Sequence, residues 1–165
     1  MSFFTELFDN SPCGAKGSFL SKLTGKERVQ VSNCNPILYE TIIEEKKSGE
    51  VVNIITQDRR LPELLRKLSI PELETLRASV TSAMEGDKYP ATMPSSAAKA
   101  YKKAFELNPY NDLALMSYGC TIANMGNIRE GMRWVEKALA VNPENERARM
   151  NIEGMKWSLH AALDK

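Results

Sequence analysis

The sequence predicts an all-α fold. Three observations carry that expectation. Apolar residues recur at helical spacing through most of the chain after residue 35. Helix start and stop signals bracket those segments. One phrase also returns: Lys103-Ala104-Phe105-Glu106-Leu107-Asn108-Pro109-Tyr110-Asn111 comes back as Lys137-Ala138-Leu139-Ala140-Val141-Asn142-Pro143-Glu144-Asn145, offset by 34 residues at each matched position.

In chain order, Phe3, Phe4, Leu7 and Phe8 fall on one side of a short helix, which the Gly, Pro and small polar residues of 10–18 break. Two readings stand for residues 1–34: an aromatic start folded back onto the domain, or an arm that docks elsewhere. Val29-Gln30-Val31 alternates like a strand but is short. The run Gly14 to Ser18 is no phosphate loop, since Lys16 precedes Gly17 and no hydrophobic strand leads into it. Asn35-Pro36 opens a helix, with an N-cap side chain and then a proline whose missing N–H costs nothing. Ile37, Leu38, Tyr39, Ile42 and Ile43 make its apolar side, Glu44-Glu45-Lys46-Lys47 its wet end, and Gly49 its stop.

Val51-Val52-Asn53-Ile54-Ile55 has the β-branched content of a strand, but its place between helical segments favours helix. Leu61, Leu64, Leu65 and Leu68 have helical spacing. Ser69-Ile70-Pro71-Glu72 reads as a capping box. The helix it opens carries Leu73, Leu76, Val80 and Ala83 on one face and is expected to stop at Gly86. Residues 35–85 thus form an N-terminal helical segment, and a loop with two prolines leads to a second region, 95–165. Helix 71–85 is either the first helix of a repeat with an insertion or part of a separate unit.

The offset and content of the repeated phrase resemble the tetratricopeptide repeat, a helix–turn–helix unit of 34 residues. Counted from Asp112, the family's small residues fall on Gly119, Gly131 and Ala138, its turn glycine on Gly126 and its closing proline on Pro143. Small residues suit a close helix crossing, and glycine suits a turn with positive φ. Leu115, Tyr118, Ile122, Val135 and Leu139 are then core. Residues 95–111 match the second half of a preceding repeat through Ala97, Tyr101, Ala104 and Pro109. Residues 146–165 match a following first helix, with Ala148 and Ile152 in register and Met155, Leu159 and Ala162 extending the stripe. Glu153 stands where glycine is usual, as suits a capping helix. Leu115 stands where tryptophan is common and Gly131 where alanine is common. The resemblance implies antiparallel helix pairs stacked as a short right-handed superhelix, with residues 35–85 supplying the rest of the stack.

It also implies an inner, concave surface. Carried over residue by residue, that surface is Leu113, Met116, Cys120, Ala123 and Asn124, then Arg147, Met150, Gly154, Trp157 and Ser158. Met116, Met150 and Trp157 would form a soft apolar strip edged by Asn124 and Arg147; methionine adapts to irregular partners and tryptophan anchors interfaces. The alternative is that Trp157 and the methionines are buried by the chain's own N-terminal segment. Arg129, Glu130, Arg133, Glu136 and Lys137 read as a solvated helix face.

Composition narrows the function. In 165 residues, 42% are hydrophobic and 26% charged, as in a globular domain with a real core. A net charge of +1 with no long single-sign run argues against a nucleic-acid binder. No apolar run nears the roughly 20 residues of a membrane helix. The start has no basic n-region, so a soluble, cytoplasmic protein is expected. Cys13, Cys34 and Cys120 lack metal spacing, and His160 is the sole histidine, so reduced thiols are expected rather than zinc, and no cofactor. The expected function is a protein-interaction module, an adaptor or chaperone-like assembly factor that holds a protein or peptide partner in its groove. The alternative is a self-associating structural protein using the aromatic N-terminus or the Trp157 face. An enzyme is not expected, since Cys120 is the only candidate nucleophile and no base accompanies it.

Overall fold

Pro36 opens α1 (Pro36–Ser48), and Gly49 ends it with φ of 78°. From there the chain is described by a computed structural model that covers residues 6–8, 36–55 and 61–164. Most of the N-terminal arm, the Asn35 cap, Cys13, Cys34, the Gly14–Ser18 run and Val29–Val31 lie outside the described residues. The described residues hold seven helices and one pair of three-residue strands.

The strands correct two expectations. Residues 51–55 end in a strand, β2 (Asn53–Ile55), and Glu6–Phe8 is not helical but forms β1. They pair in parallel, with Glu6 opposite Asn53 and Phe8 opposite Ile55. A stretch this short cannot nucleate a helix alone, and its β-branched residues fit a ladder once a partner strand is present.

Next come α2 (Leu61–Arg66) and α3 (Ile70–Lys88). The capping box forms: Ser69 Oγ accepts from the Glu72 amide at 3.3 Å, and the Ser69 amide donates to Glu72 Oε2 at 3.4 Å. α3 does not stop at Gly86. It runs through that residue to Lys88, and Gly86 lies beneath the Tyr101 ring, where an added Cβ would sit 2.5 Å from a ring carbon. The glycine serves a close approach, not a helix end. Tyr101 also donates its hydroxyl to Asp87 Oδ1 at 2.7 Å, and burial with that carboxylate holds the phenol above its usual range.

α4 (Pro94–Leu107), α5 (Asp112–Asn124), α6 (Ile128–Val141) and α7 (Glu146–Leu163) follow. Each helix from α3 onward packs on the next in sequence, and α5 also touches α7. Two cores result. Leu38, Tyr39, Ile42 and Ile43 of α1 meet Leu65, Leu68 and the first half of α3 through Leu73, Leu76 and Val80. The second core takes Ala83 from the far half of α3, then Ala104, Phe105, Ala114, Leu115, Met116, Val135, Ala138, Ala148 and Ile152. A 19-residue helix is about 28 Å long, enough to serve both.

Ile37 is exposed, because it falls off the α1 stripe, and Ala162 is exposed near the end of α7. Glu45 is buried rather than wet. It accepts from Arg66 Nε at 2.6 Å and Nη2 at 3.0 Å, and from the Val52 amide at 3.2 Å. Arg66 Nη2 also donates to the Val52 carbonyl at 2.9 Å. A carboxylate so fully paired tolerates burial, and it ties α1, α2 and the residue that leads into β2 together.

Between α5 and α6 the backbones nearly touch. A Cβ on Gly119 would lie 2.6 Å from the Gly131 carbonyl oxygen, and one on Gly131 would lie 2.5 Å from that of Gly119. Gly119→Ala is therefore expected to lower stability by about 1–3 kcal/mol, although alanine is the better helix former by about 1 kcal/mol. Gly154→Ala, with nothing within 4 Å of its Cβ, should instead gain up to about 1 kcal/mol. Urea unfolding of the two variants side by side checks the contrast; a stabilised Gly119→Ala protein would contradict the close crossing.

Candidate interaction groove

The turn from α5 to α6 is made by Met125, Gly126 and Asn127. Gly126 has φ of 103°, and Asn127 caps α6 by accepting from the Glu130 amide at 3.3 Å. Trp134 of α6 stacks on Phe105 of α4 at 4.9 Å between ring centres, and Tyr118 of α5 meets both edge-on. Lys137 lies over the Trp134 ring at 3.8 Å and Arg133 pairs with Glu130, so this charged face is partly engaged. α4, α5 and α6 are thereby locked as one wall.

The other wall is α7, fixed at its N-terminus by two buried asparagines. Asn145 caps α7, accepting from the Ala148 amide at 2.9 Å, and its Nδ2 donates to Asp112 Oδ2 at 2.8 Å. Asn142 Nδ2 reaches the same oxygen at 3.0 Å, while its Oδ1 accepts from the Glu144 amide. The device is used twice. Asn111 caps α5 through the Ala114 amide at 3.0 Å and donates to Ser79 Oγ at 2.9 Å. Ser79 Oγ passes its own hydrogen to the Ala104 carbonyl at 2.7 Å. Asn111 and Asn145 thus each also hold the helix they open to an earlier one.

Between these walls lies a groove of about 480 Å³. Cys120, Ala123 and Asn124 line it from α5, Ile128 from the start of α6, and Met150, Asn151, Gly154, Met155 and Ser158 from α7. It is mixed in character. Ser158 spends its hydroxyl on the Gly154 carbonyl at 3.1 Å, while Asn124 stands exposed at the rim.

The sequence-derived site is partly assembled here. Cys120, Asn124 and Met150 line the groove, as do Ala123, Gly154 and Ser158. Met116 does not. It is 2% exposed and packs in the second core, so its place in the apolar strip is corrected: its side chain points to the packed side of α5. Leu113 is half-buried against the same core. Arg147 is exposed at the start of α7, where its charge bears on Cys120. Trp157 is 79% exposed and lies outside the groove lining, so it is neither core nor groove wall. Ile128, Asn151 and Met155 were missed. Met155 is half-buried against the second core, as its place on the α7 stripe implies, and reaches the groove as well; the other two become neighbours of Cys120 only when α6 and α7 are placed.

The surroundings of Cys120 hold its thiol in the protonated form. Burial pushes its thiol up from the ordinary value, and Arg147 offsets this only in part. In a Cys13→Ser/Cys34→Ser background, labelling of Cys120 by iodoacetamide should be slower at neutral pH than that of a free thiol. Its rate should still climb with pH where the free thiol has levelled off. Arg147→Ala should slow it further. Labelling faster than the free thiol near neutrality would overturn this account.

No helix among the described residues is long and apolar enough to cross a membrane. Compared with known proteins, the chain matches no family model, no curated protein and no solved structure.

Proposed function

We propose that this chain is a protein-interaction module of the tetratricopeptide-repeat kind, an adaptor or assembly factor that takes a segment of a partner protein into the α5–α7 groove. One observation carries the reading. Of the ten residues that the resemblance carries to an inner surface, six, Cys120, Ala123, Asn124, Met150, Gly154 and Ser158, line one groove. Further support comes from the unit itself: small residues at the α5–α6 crossing, a left-handed glycine at its turn and an asparagine at the next helix start. On this reading α7 is the terminal capping helix and the α3–α4 pair is the preceding repeat, whose first helix extends into the N-terminal core.

The groove suits a side-chain-mediated ligand. Met150 and Met155 offer adaptable apolar contact, and Asn124 and Asn151 offer amide hydrogen bonds to a peptide backbone.

The test is a peptide-display selection against the wild-type chain, repeated with Asn124→Glu/Ile128→Glu. These positions are exposed or half-exposed, and a glutamate at the first turn of α6 suits its dipole, so the variant should keep its circular dichroism. Selected peptides should lose at least about tenfold in affinity, or roughly 1.4 kcal/mol. Equal binding by the folded variant would remove the groove as the ligand site.

A further inference from the structure

α7 turns Ala148 and Ile152 inward and leaves Met150, 74% exposed, and Trp157, 79% exposed, on its outer side. Gly154 and Ala161 are exposed with them. Met150, Gly154, Trp157 and Ala161 follow one another at spacings of four, three and four residues, the alternation of a helix–helix seam. Large and small residues alternate along it, and nothing lies within 4 Å of a Cβ placed on Gly154.

The seam is complementary to its own reverse. Its midpoint falls between Met155 and Lys156. If a second α7 is laid against it in the opposite direction, Trp157 faces the second copy's Gly154, and Met150 faces the second copy's Ala161. One step further out at each end, Arg147 faces the second copy's Asp164. Arg147 and Asp164 are both exposed and make no ion pair among the described residues. Beside the seam, Asn151 lies near the second copy's Ser158. The opposed helix dipoles add to the match.

The bare seam does not await a helix of the kind that covers α5. The residue that stands 34 positions after Gly119 is Glu153, and it is paired with Lys156 at 2.9 Å. That side of α7 is charged where the corresponding side of α5 is closely packed.

We propose that the outer face of α7 is an interface between two copies of this chain, joined by antiparallel α7–α7 packing about a two-fold axis. Each tryptophan fills the slot over the other copy's glycine, and the Arg147–Asp164 pairs close the two ends. The interface shares Met150 and Gly154 with the groove wall but leaves Asn124 and Ile128 outside it. It does not depend on the groove having a ligand.

Sedimentation velocity of the full chain across a concentration series tests this. The expected result is a mass that doubles with concentration. Gly154→Leu has room in the folded chain and should weaken the dimer by at least about tenfold, by filling the slot for Trp157. Arg147→Asp and Asp164→Arg should each weaken it, and the two together should restore it. Asn124→Glu/Ile128→Glu should leave the dimer intact. A wild-type chain that stays monomeric to about 100 μM, short of any Kd tighter than that, overturns the proposal. A dimer indifferent to Gly154→Leu, or charge reversals that do not rescue each other, also overturn it by placing the contact elsewhere. A chain that dimerises as described keeps this interface whatever the peptide selection shows; because the two sites share Met150 and Gly154, the groove is lost only if the monomeric Arg147→Asp variant also selects no peptide.

Discussion

Two residues without side chains set the geometry of the C-terminal half. Gly119 and Gly131 bring the carbonyl of each helix to within 2.6 Å of where the other's Cβ would be. Side chains flanking that contact must interdigitate at the distance it dictates. Val135 and Leu115 bury completely or nearly so, and the Phe105–Tyr118–Trp134 cluster forms at its edge. Glycine in a helix interior costs roughly 1 kcal/mol apiece in propensity. The close approach offsets that by dispersion contacts spread over both helices.

A polar constraint complements the apolar one. Asn111 and Asn145 each satisfy a helix N-terminus and, with the other end of the same amide, grip an earlier helix. Buried amides that find all their partners specify register more sharply than apolar packing, because displacement strands a donor. The α5–α7 separation, and with it the groove width, rests on the Asp112 carboxylate that both Asn142 and Asn145 share.

Much of this was legible because repeat signals are local. The 34-residue offset, with the family that it resembles, located α5, α6 and the start of α7. The capping box at Ser69, the turn at Gly126 and the stop at Gly49 each state a backbone geometry in two to four residues. What was not legible depends on distant partners. Gly86 reads as a helix stop until Tyr101 is seen to lie on it, and Glu45 reads as solvated until Arg66 arrives from another helix. The β1–β2 ladder joins segments more than forty residues apart, and no local pattern announces it. In the groove, the resemblance named six of the residues of α5 and α7 that line it. It could not tell that Met116 turns under α5, because on a helix with apolar residues on several sides only packing selects the buried stripe.

The two cores share one helix, and this bears on how the molecule comes apart. α3 gives Leu73, Leu76 and Val80 to one cluster and Ala83 to the other, with no break in its hydrogen-bonded ladder between them. Cooperativity in stacked-helix proteins runs through nearest neighbours, so a continuous helix is a stiff link in that chain of couplings. Loosening the α1–α2 end withdraws cover from the same rod on which α4 rests. The linker at residues 89–93 resembles a domain boundary in composition, yet a cut there would expose the α3–α4 interface on both fragments. Mechanically, the protein is a single beam with two loads, and neither end can be relieved without bending the other.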